Sequence, residues 1–360
     1  MSDYYEIDFL AVETKKSGDA IGIRYQISGA TSIHVVDGGF QSTGVDLAQH
    51  IRSYYANPSF IDNVVLTHPD GDHAGGLREI LDTFEVGALW MLRPWDYAEE
   101  LLPLFSRYQS VESLRIRLKA DFPNIVALDE IAKTRGIPVY APFQGARIGA
   151  FTVMTPTKQR YLQLIVESEK TPAVTAQASA QSFMEAFSAA FASIKNMVRA
   201  FWGEETFPSD DTSAENEMSV VQYANIAGHK ILLTGDTGRA GLTEAADYAP
   251  YVGLSLPGID RFQVPHHGSR RNVTSEILDR WLGTKLSSPP VRGGEKFFAY
   301  ISSALEDKDH PRKSVVRAMI HRGAGVIPTE GRTVCCGSNA PARARWTSIE
   351  PEAYPEEQEE

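Results

Sequence analysis

The sequence predicts an α/β protein folded as a four-layer αββα sandwich, with helices outside and two sheets inside. Three observations carry this expectation. The chain has 360 residues, 42% hydrophobic and 22% charged, which is ample length to bury a large core. Its two halves share one grammar of strand-like runs alternating with helix-like runs, and that pattern calls for sheets covered by helices. Two stretches of helical pattern, about 94–135 and 158–205, break this grammar and read as insertions. One domain over residues 1–345 is therefore expected, followed by an acidic, disordered tail at 346–360, "WTSIEPEAYPEEQEE".

In the first half, "YYEIDFLAVE", "AIGIRYQI" and "SIHVVDGG" are rich in β-branched and aromatic residues and read as strands. "GVDLAQHIRSYY" follows as a helix, "DNVVLT" as a buried strand, then a helix and the strand "VGALWML". In the second half, "MSVVQYAN" and "KILLTGD" flank the turn "IAGHK" as a hairpin. "DRFQVPHHG", "KFFAYISS" and "GVIPTEGRTVCCG" read as strands, with "TSEILDRWLG" and "HPRKSVVRAMIHRG" as the intervening helices. Within the second insertion, Phe183, Phe187, Phe191, Ile194, Val198 and Phe201 recur at three- and four-residue spacing, the apolar face of one helix. That face suits packing on the body, a lid over a site, or a homodimer contact.

Composition narrows the function. A net charge of −11 argues against broad coating of duplex nucleic acid. The start "MSDYYEIDFLAVE" lacks a basic segment followed by an apolar run, and no apolar run reaches the roughly 18 residues of a membrane span, so a cytoplasmic protein without membrane contact is expected. Cys335 and Cys336 are adjacent and read as strand residues without chemistry. His34, His50, His229 and His321 read as structural.

The chemistry concentrates in "LTHPDGDHAGG", residues 66–76, which holds His68, Asp70, Asp72 and His73 on one strand-to-helix turn. Such side chains are costly to bury unpaired, and imidazole with carboxylate suits zinc, manganese or iron. Two glycines follow, letting the backbone turn tightly and a helix start beside the site.

"HPDGDH" resembles the His-x-His-x-Asp-His metal motif of the metallo-β-lactamase superfamily, with Asp70 in place of a histidine. Further pieces fall in the family's order: Asp37 in "VVDGG", Asp236 in "LLTGD", and His266 and His267 in "VPHHGS". "N-x-x-S-V-V" from Asn216 to Val221, "HHGS" at 266–269 and His310-Pro311 resemble, within that family, the nuclease-like domain of ComEC competence proteins and its soluble relatives.

The resemblance implies a hydrolase with two divalent ions, zinc and/or manganese, and a metal-activated hydroxide. One ion would take His68, Asp70 and Asp236, with Asn216 as a weak partner, because no histidine stands between His73 and His229. The other would take Asp72, His73, Asp236 and the late histidine, with His266 favoured over His267. Asp37 would support the site, and Asp72, His267 and His310 would be the catalytic candidates, His310 to protonate a leaving group or hold a phosphate oxygen. Ser269, Arg270, Arg271, Arg312 and Lys313 are candidates for holding a phosphodiester, either single-stranded nucleic acid or a small nucleotide. The alternatives are a metallo-hydrolase of another ester or lactone class, or a non-catalytic regulatory protein on a degenerate scaffold.

Overall fold

Two sheets stack face to face in a computed structural model that describes residues 2–12, 14–171 and 197–360. The first contains β1 (Tyr4–Phe9), β2 (Ala20–Ile27), β3 (Ala30–Gly38), β4 (Phe60–Val65), β5 (Glu85–Trp90) and β6 (Val139–Tyr140), with β15 (Val334–Ser338) beside β1. The second contains β7 (Arg147–Ile148), β8 (Phe151–Thr155), β10 (Val221–Ile226), β11 (His229–Leu233), β12 (Arg261–Gln263), β13 (Phe297–Ile301) and β14 (Ala324–Pro328). Its order is β14-β13-β12-β11-β10-β8-β7. One apolar core joins the facing surfaces, with Ile7 and Val35 from one sheet and Val153, Ile226 and Leu233 from the other. Phe9 stacks on Tyr300 across this gap, ring centroids 5.0 Å apart.

Helices cover the outer faces, as the alternating pattern requires. Helix α1 (Thr43–Tyr54) buries Leu47, Ala48 and Ile51, one stripe at helical spacing. The short α2 (Gly71–Ala74) precedes α3 (Leu77–Thr83), which buries Leu77, Ile80 and Leu81. Between β5 and β6 run α4 (Ala98–Leu101), α5 (Val111–Asp121) and α6 (Pro123–Arg135). Helix α7 (Lys158–Glu167) follows β8, and α8 (Ala214–Glu217) leads into β10. The second sheet is covered by α9 (Arg239–Tyr248), α10 (Ser275–Leu282) and α11 (Lys313–His321), which bury Leu242, Ala245, Trp281, Val315 and Met319 among others. Ser110, Thr157, Ser213 and Thr274 cap α5, α7, α8 and α10 by accepting from a backbone N–H three residues on. Among the described residues no helix is long and apolar enough to cross a membrane.

Three features depart from the sequence reading. Strand β15, read with the second half, pairs antiparallel with β1 in the first sheet, Asp8 opposite Cys335. Phe183, Phe187, Phe191 and Ile194 lie outside the described residues. Val198, expected on the same helical face, lies in strand β9 (Met197–Arg199), and Phe201 beyond it is exposed. The acidic tail, expected to be disordered, is docked: β16 (Glu357–Glu359) pairs with β9. The reason is local. The Glu359 carboxylate accepts from the N–H groups of Lys313 and Ser314, orphan donors at the start of α11, so the acidic side chain meets the positive end of a helix.

The first sheet's edge carries a buried ionic cluster. Asp8 accepts from Tyr55 Oη at 2.6 Å and from Arg343 at 2.6 Å, with His50 Nε2 3.3 Å away. Burial opposes its ionisation, but the His50 and Arg343 contacts outweigh burial and hold its pKa at about 2, below the ordinary 3.8. Its stabilisation is therefore complete above about pH 4 and is lost as pH falls through 2, worth about 2 kcal/mol. Denaturant unfolding at pH 5 and pH 2 should show the stability gap between wild type and Asp8→Asn closing at the lower pH. A gap independent of pH would contradict this role.

Candidate metal centre

Strands β3, β4 and β5 run parallel in one sheet, and β11, β12 and β13 run parallel in the other. Loops following these strands carry the chemistry, so residues far apart in sequence meet at one end of the sandwich. Asp37 closes β3, His68 to His73 follow β4, Asp236 follows β11, His266 and His267 follow β12, and His310 lies beyond β13. Glycine makes the approach possible: a Cβ at Gly76 would sit 2.0 Å from the Gly38 carbonyl oxygen.

Asp236 is the centre. Its Oδ1 lies 3.3 Å from His73 Nε2, and its Oδ2 lies 3.7 Å from His68 Nε2, 3.7 Å from His266 Nε2 and 3.8 Å from His267 Nε2. Asp72 Oδ2 is 3.7 Å from His267 Nε2 and 4.0 Å from His73 Nε2. Donors bonded to one tetrahedral ion at about 2.0–2.2 Å stand roughly 3.4 Å apart, so these spacings suit a shared ion. The ligand atoms of Asp72, His73, Asp236 and His267 all lie within 4.8 Å of one another.

The tautomers point the same way. His73 Nδ1 donates to Asp37 Oδ2 at 2.7 Å, and His267 Nδ1 donates to the Ser302 carbonyl at 2.8 Å. Thr67 Oγ1 donates to Asp37 at 2.6 Å, so it accepts from His68 Nδ1 at 3.1 Å. Asn272 gives its amide N–H groups to the Asp236 and Thr237 carbonyls, leaving its oxygen to accept from His266 Nδ1 at 3.0 Å. Each of the four imidazoles thus carries a proton on Nδ1 and turns Nε2 toward Asp236, the arrangement a metal-binding histidine needs. The Nε2 atoms of His68, His73 and His267 and Oδ1 of Asp236 are buried without a hydrogen-bond partner. Orphaned polar atoms converging at these spacings fit a divalent ion.

The electrostatics agree. Burial opposes ionisation of Asp236, yet the facing His73, His266 and His267 hold it well below the usual carboxylate range. Burial likewise opposes protonation of His73 and His267. The surrounding carboxylates prevail, raising His73 well above its ordinary value and pushing His267 up to about 9. The cluster demands positive charge.

Several expected roles change. The partner of Asp72 and His73 is His267, where His266 had been favoured. Consecutive left-handed backbone angles, φ 47° at His266 and 54° at His267, wind the turn so that His267 is buried under Ser302 while His266 stays partly open beside Asp236. Asn216, expected as a weak ligand, donates its amide nitrogen to Thr212 at 2.7 Å and lies 3.3 Å from His266 Nδ1, on the outer side of that ring. His310 lies beside His266, ring centroids 5.4 Å apart and tilted by 38°, and gives its Nδ1 proton to Asp307 at 3.3 Å. Burial lowers its pKa to about 4, so at neutral pH it presents an acceptor, in place of the expected acid.

Ser269, Arg270, Arg271 and Arg312 line a groove of about 640 Å³ together with His266 and His310. Lys313 is exposed outside it, its N–H bound to Glu359. Sequence reasoning missed Asp19, whose Oδ2 accepts from Gln263 at 2.9 Å and lies 3.8 Å from His73 Nδ1. It also missed Thr67, Asn272, Ser302 and Asp307. Only Asp307 left a signal, an acid three positions before His310.

Residues 27–139 match the family model described as the metallo-beta-lactamase superfamily. The chain is similar in fold to the metallo-beta-lactamase fold protein YhfI from Bacillus subtilis, at 11% identity over 93% of this chain and 100% of that one, with a TM-score of 0.38. It is also similar to a diphosphatase from the PhnP family, at 11% identity over 93% and 98% of the two chains, TM-score 0.35. A third is the hydrolase AbOPH in the beta lactamase superfamily, at 12% identity over 72% and 93%, TM-score 0.33. No curated protein matches. The family match covers residues 27–139, and the two stacked sheets with helices outside agree with the metallo-beta-lactamase sandwich; the Asp72, His73, Asp236 and His267 group could hold a metal ion.

Two outcomes follow from this geometry. His267→Ala should lose a zinc or manganese ion at concentrations where His266→Ala still holds it, read by metal content after desalting; the reverse ranking would restore His266 as the ligand. Metal uptake should also expel the Nε2 protons of His73 and His267. Calorimetry in buffers of different ionisation enthalpy should show about one or more protons released per ion at pH 7.5, and fewer above pH 9, once His267 has lost its proton unaided. Release independent of pH would contradict the assignment.

Proposed function

We propose that this chain is a metal-dependent phosphodiesterase acting on a small or single-stranded phosphodiester. The observation that carries the proposal is the position of the Asp236 cluster at the wall of a basic groove. His266 belongs to both, and Lys16, Arg270, Arg271 and Arg312 line the groove beyond it. A volume near 640 Å³ suits one or two nucleotides, within the range of small-ligand sites. The overall charge of −11 disfavours long polyanions, while a few local cations can still hold one or two phosphates. An uncharged lactone or thioester would have little use for four cations.

The side chains divide the work. Arg270 donates to the main-chain oxygens of Glu359 and Glu360, which fix the guanidinium at the groove. Arg271 and Arg312 are braced by Asp210 and Asp309 and offer planar forks to phosphate oxygens. Asp72, His73, Asp236 and His267 would hold a divalent ion, which supplies charge neutralisation and water activation near neutral pH. His310, neutral and anchored on Asp307, accepts a hydrogen bond through Nε2 from a hydroxyl or water in the groove.

The test is a hydrolysis screen with added manganese or zinc over single-stranded DNA, RNA, cyclic nucleotides and a chromogenic phosphodiester. At equal phosphodiester concentration and fixed salt, single strands or small diesters should be cleaved faster than covalently closed duplex. Asp72→Ala should lower kcat/KM by at least about a thousandfold. Faster duplex cleavage would sink the groove assignment, and activity surviving Asp72→Ala would sink the metal mechanism.

A further inference from the structure

The His68 side of the centre departs from the His267 side in a way that concerns charge. Asp72, His73, Asp236 and His267 form a four-ligand group, whereas among the described residues His68, Asp70 and His266 join no such group. His68 Nε2 stands 3.9 Å from Asp70 Oδ2, and Asp70 spends its other oxygen on an ion pair with Lys170 Nζ. We propose that Lys170 serves as the second cation of this centre, so that the chain works with one tightly bound divalent ion and a lysine ammonium where a second ion would be expected. The inference rests on the metal-centre reading above and departs from the expectation of two ions.

Two observations support it. First, the Lys170 turn is built. Its N–H donates to Ser168 Oγ at 3.1 Å, Thr171 N–H donates to the Ser168 carbonyl at 3.1 Å, and both Ser168 and Thr171 are buried. Second, Ser168 Oγ donates to the buried Glu215, the neighbour of Asn216 on α8. The helix that lacks a histidine at Asn216 is thus the one that clamps the lysine turn in place. Lysine is suited to the task because its ammonium is a compact point charge on a flexible stem, able to reach both Asp70 and a substrate phosphate.

The experiment counts metal, so it is independent of any substrate. Full-length wild type, Lys170→Met and Lys170→Arg are loaded with zinc, desalted and assayed for zinc per chain, with affinities from competition against a chelator. Wild type and Lys170→Arg should retain one ion per chain. Lys170→Met should retain about two, its second ion bound roughly tenfold more tightly than in wild type, as expected when a competing half-exposed ion pair is removed. Two tightly held ions in wild type would overturn the proposal, as would a Lys170→Met protein that still holds one. No ion in any of the three would overturn the metal-centre reading itself. A wild type that holds one ion and gains a second with Lys170→Met, yet cleaves no phosphodiester, would leave the proposal standing and remove only the substrate assignment.

Discussion

The centre depends on one buried carboxylate, Asp37, that stands behind the imidazoles. Asp37 accepts from Thr67 N–H at 2.8 Å, from Thr67 Oγ1 at 2.6 Å and from His73 Nδ1 at 2.7 Å. Burying such a charge costs several kcal/mol unless its lone pairs are filled, and here they are. Asp37 sets the His73 tautomer directly and the His68 tautomer through Thr67. It does so from a left-handed backbone conformation, φ 56°, an uncommon state for a residue other than glycine. That angle persists because three partners over-determine it. Asp236 can then gather imidazoles whose Nε2 atoms already face it.

The groove wall depends on a second ionic group farther away. Helix α11 is almost wholly buried, Arg317 and His321 included. Arg317 donates to the carbonyls of Phe201, Glu204 and Pro355 and lies over the Tyr354 ring. Glu205 takes His321 at 2.9 Å and Arg322 at 3.0 Å. Buried charges persist only when paired in this way, and the pairs tie residues 201–206 and the acidic tail across α11. His310 and Arg312 lie immediately before that helix. The tail also supplies the carbonyls that hold Arg270, so a segment remote from the metal cluster shapes the phosphate-binding side of the groove.

What was legible in the sequence was local or periodic. His68, Asp70, Asp72 and His73 could be read because one strand-to-helix turn carries all four. The layered architecture could be read from alternating strands and helices, and Asp236 and the histidine pair from short motifs. The choice between His266 and His267 was hidden, because it is made by two consecutive positive φ angles that the letters "HH" do not encode. Asp19 and Ser302 were hidden because only the packing of distant strands brings them near the cluster, and Asn272 because nothing in the loop sequence shows that it folds back on His266. The tail was misread for a physical reason: a glutamate-rich run resembles a solvated chain unless a helix N-terminus is waiting for it. Lys170 was passed over because nothing near it in sequence reveals that Asp70 lies opposite.

The pairing of β15 with β1 has a bearing on how the molecule comes into being. Strand β1 keeps one edge unsatisfied until residues 334–338 have been made, and an exposed edge is a template for wrong partners. The chain also cannot assemble the cluster early, since Asp37 and His73 wait for Asp236 and His267. Residues 334–338 must therefore be made before the first sheet closes, and His267 before the centre does. Long-range pairing of this kind folds slowly and leaves partly built states exposed. The same late stitch keeps either half from standing as a unit by itself, so the metal-binding end is a property of the entire chain.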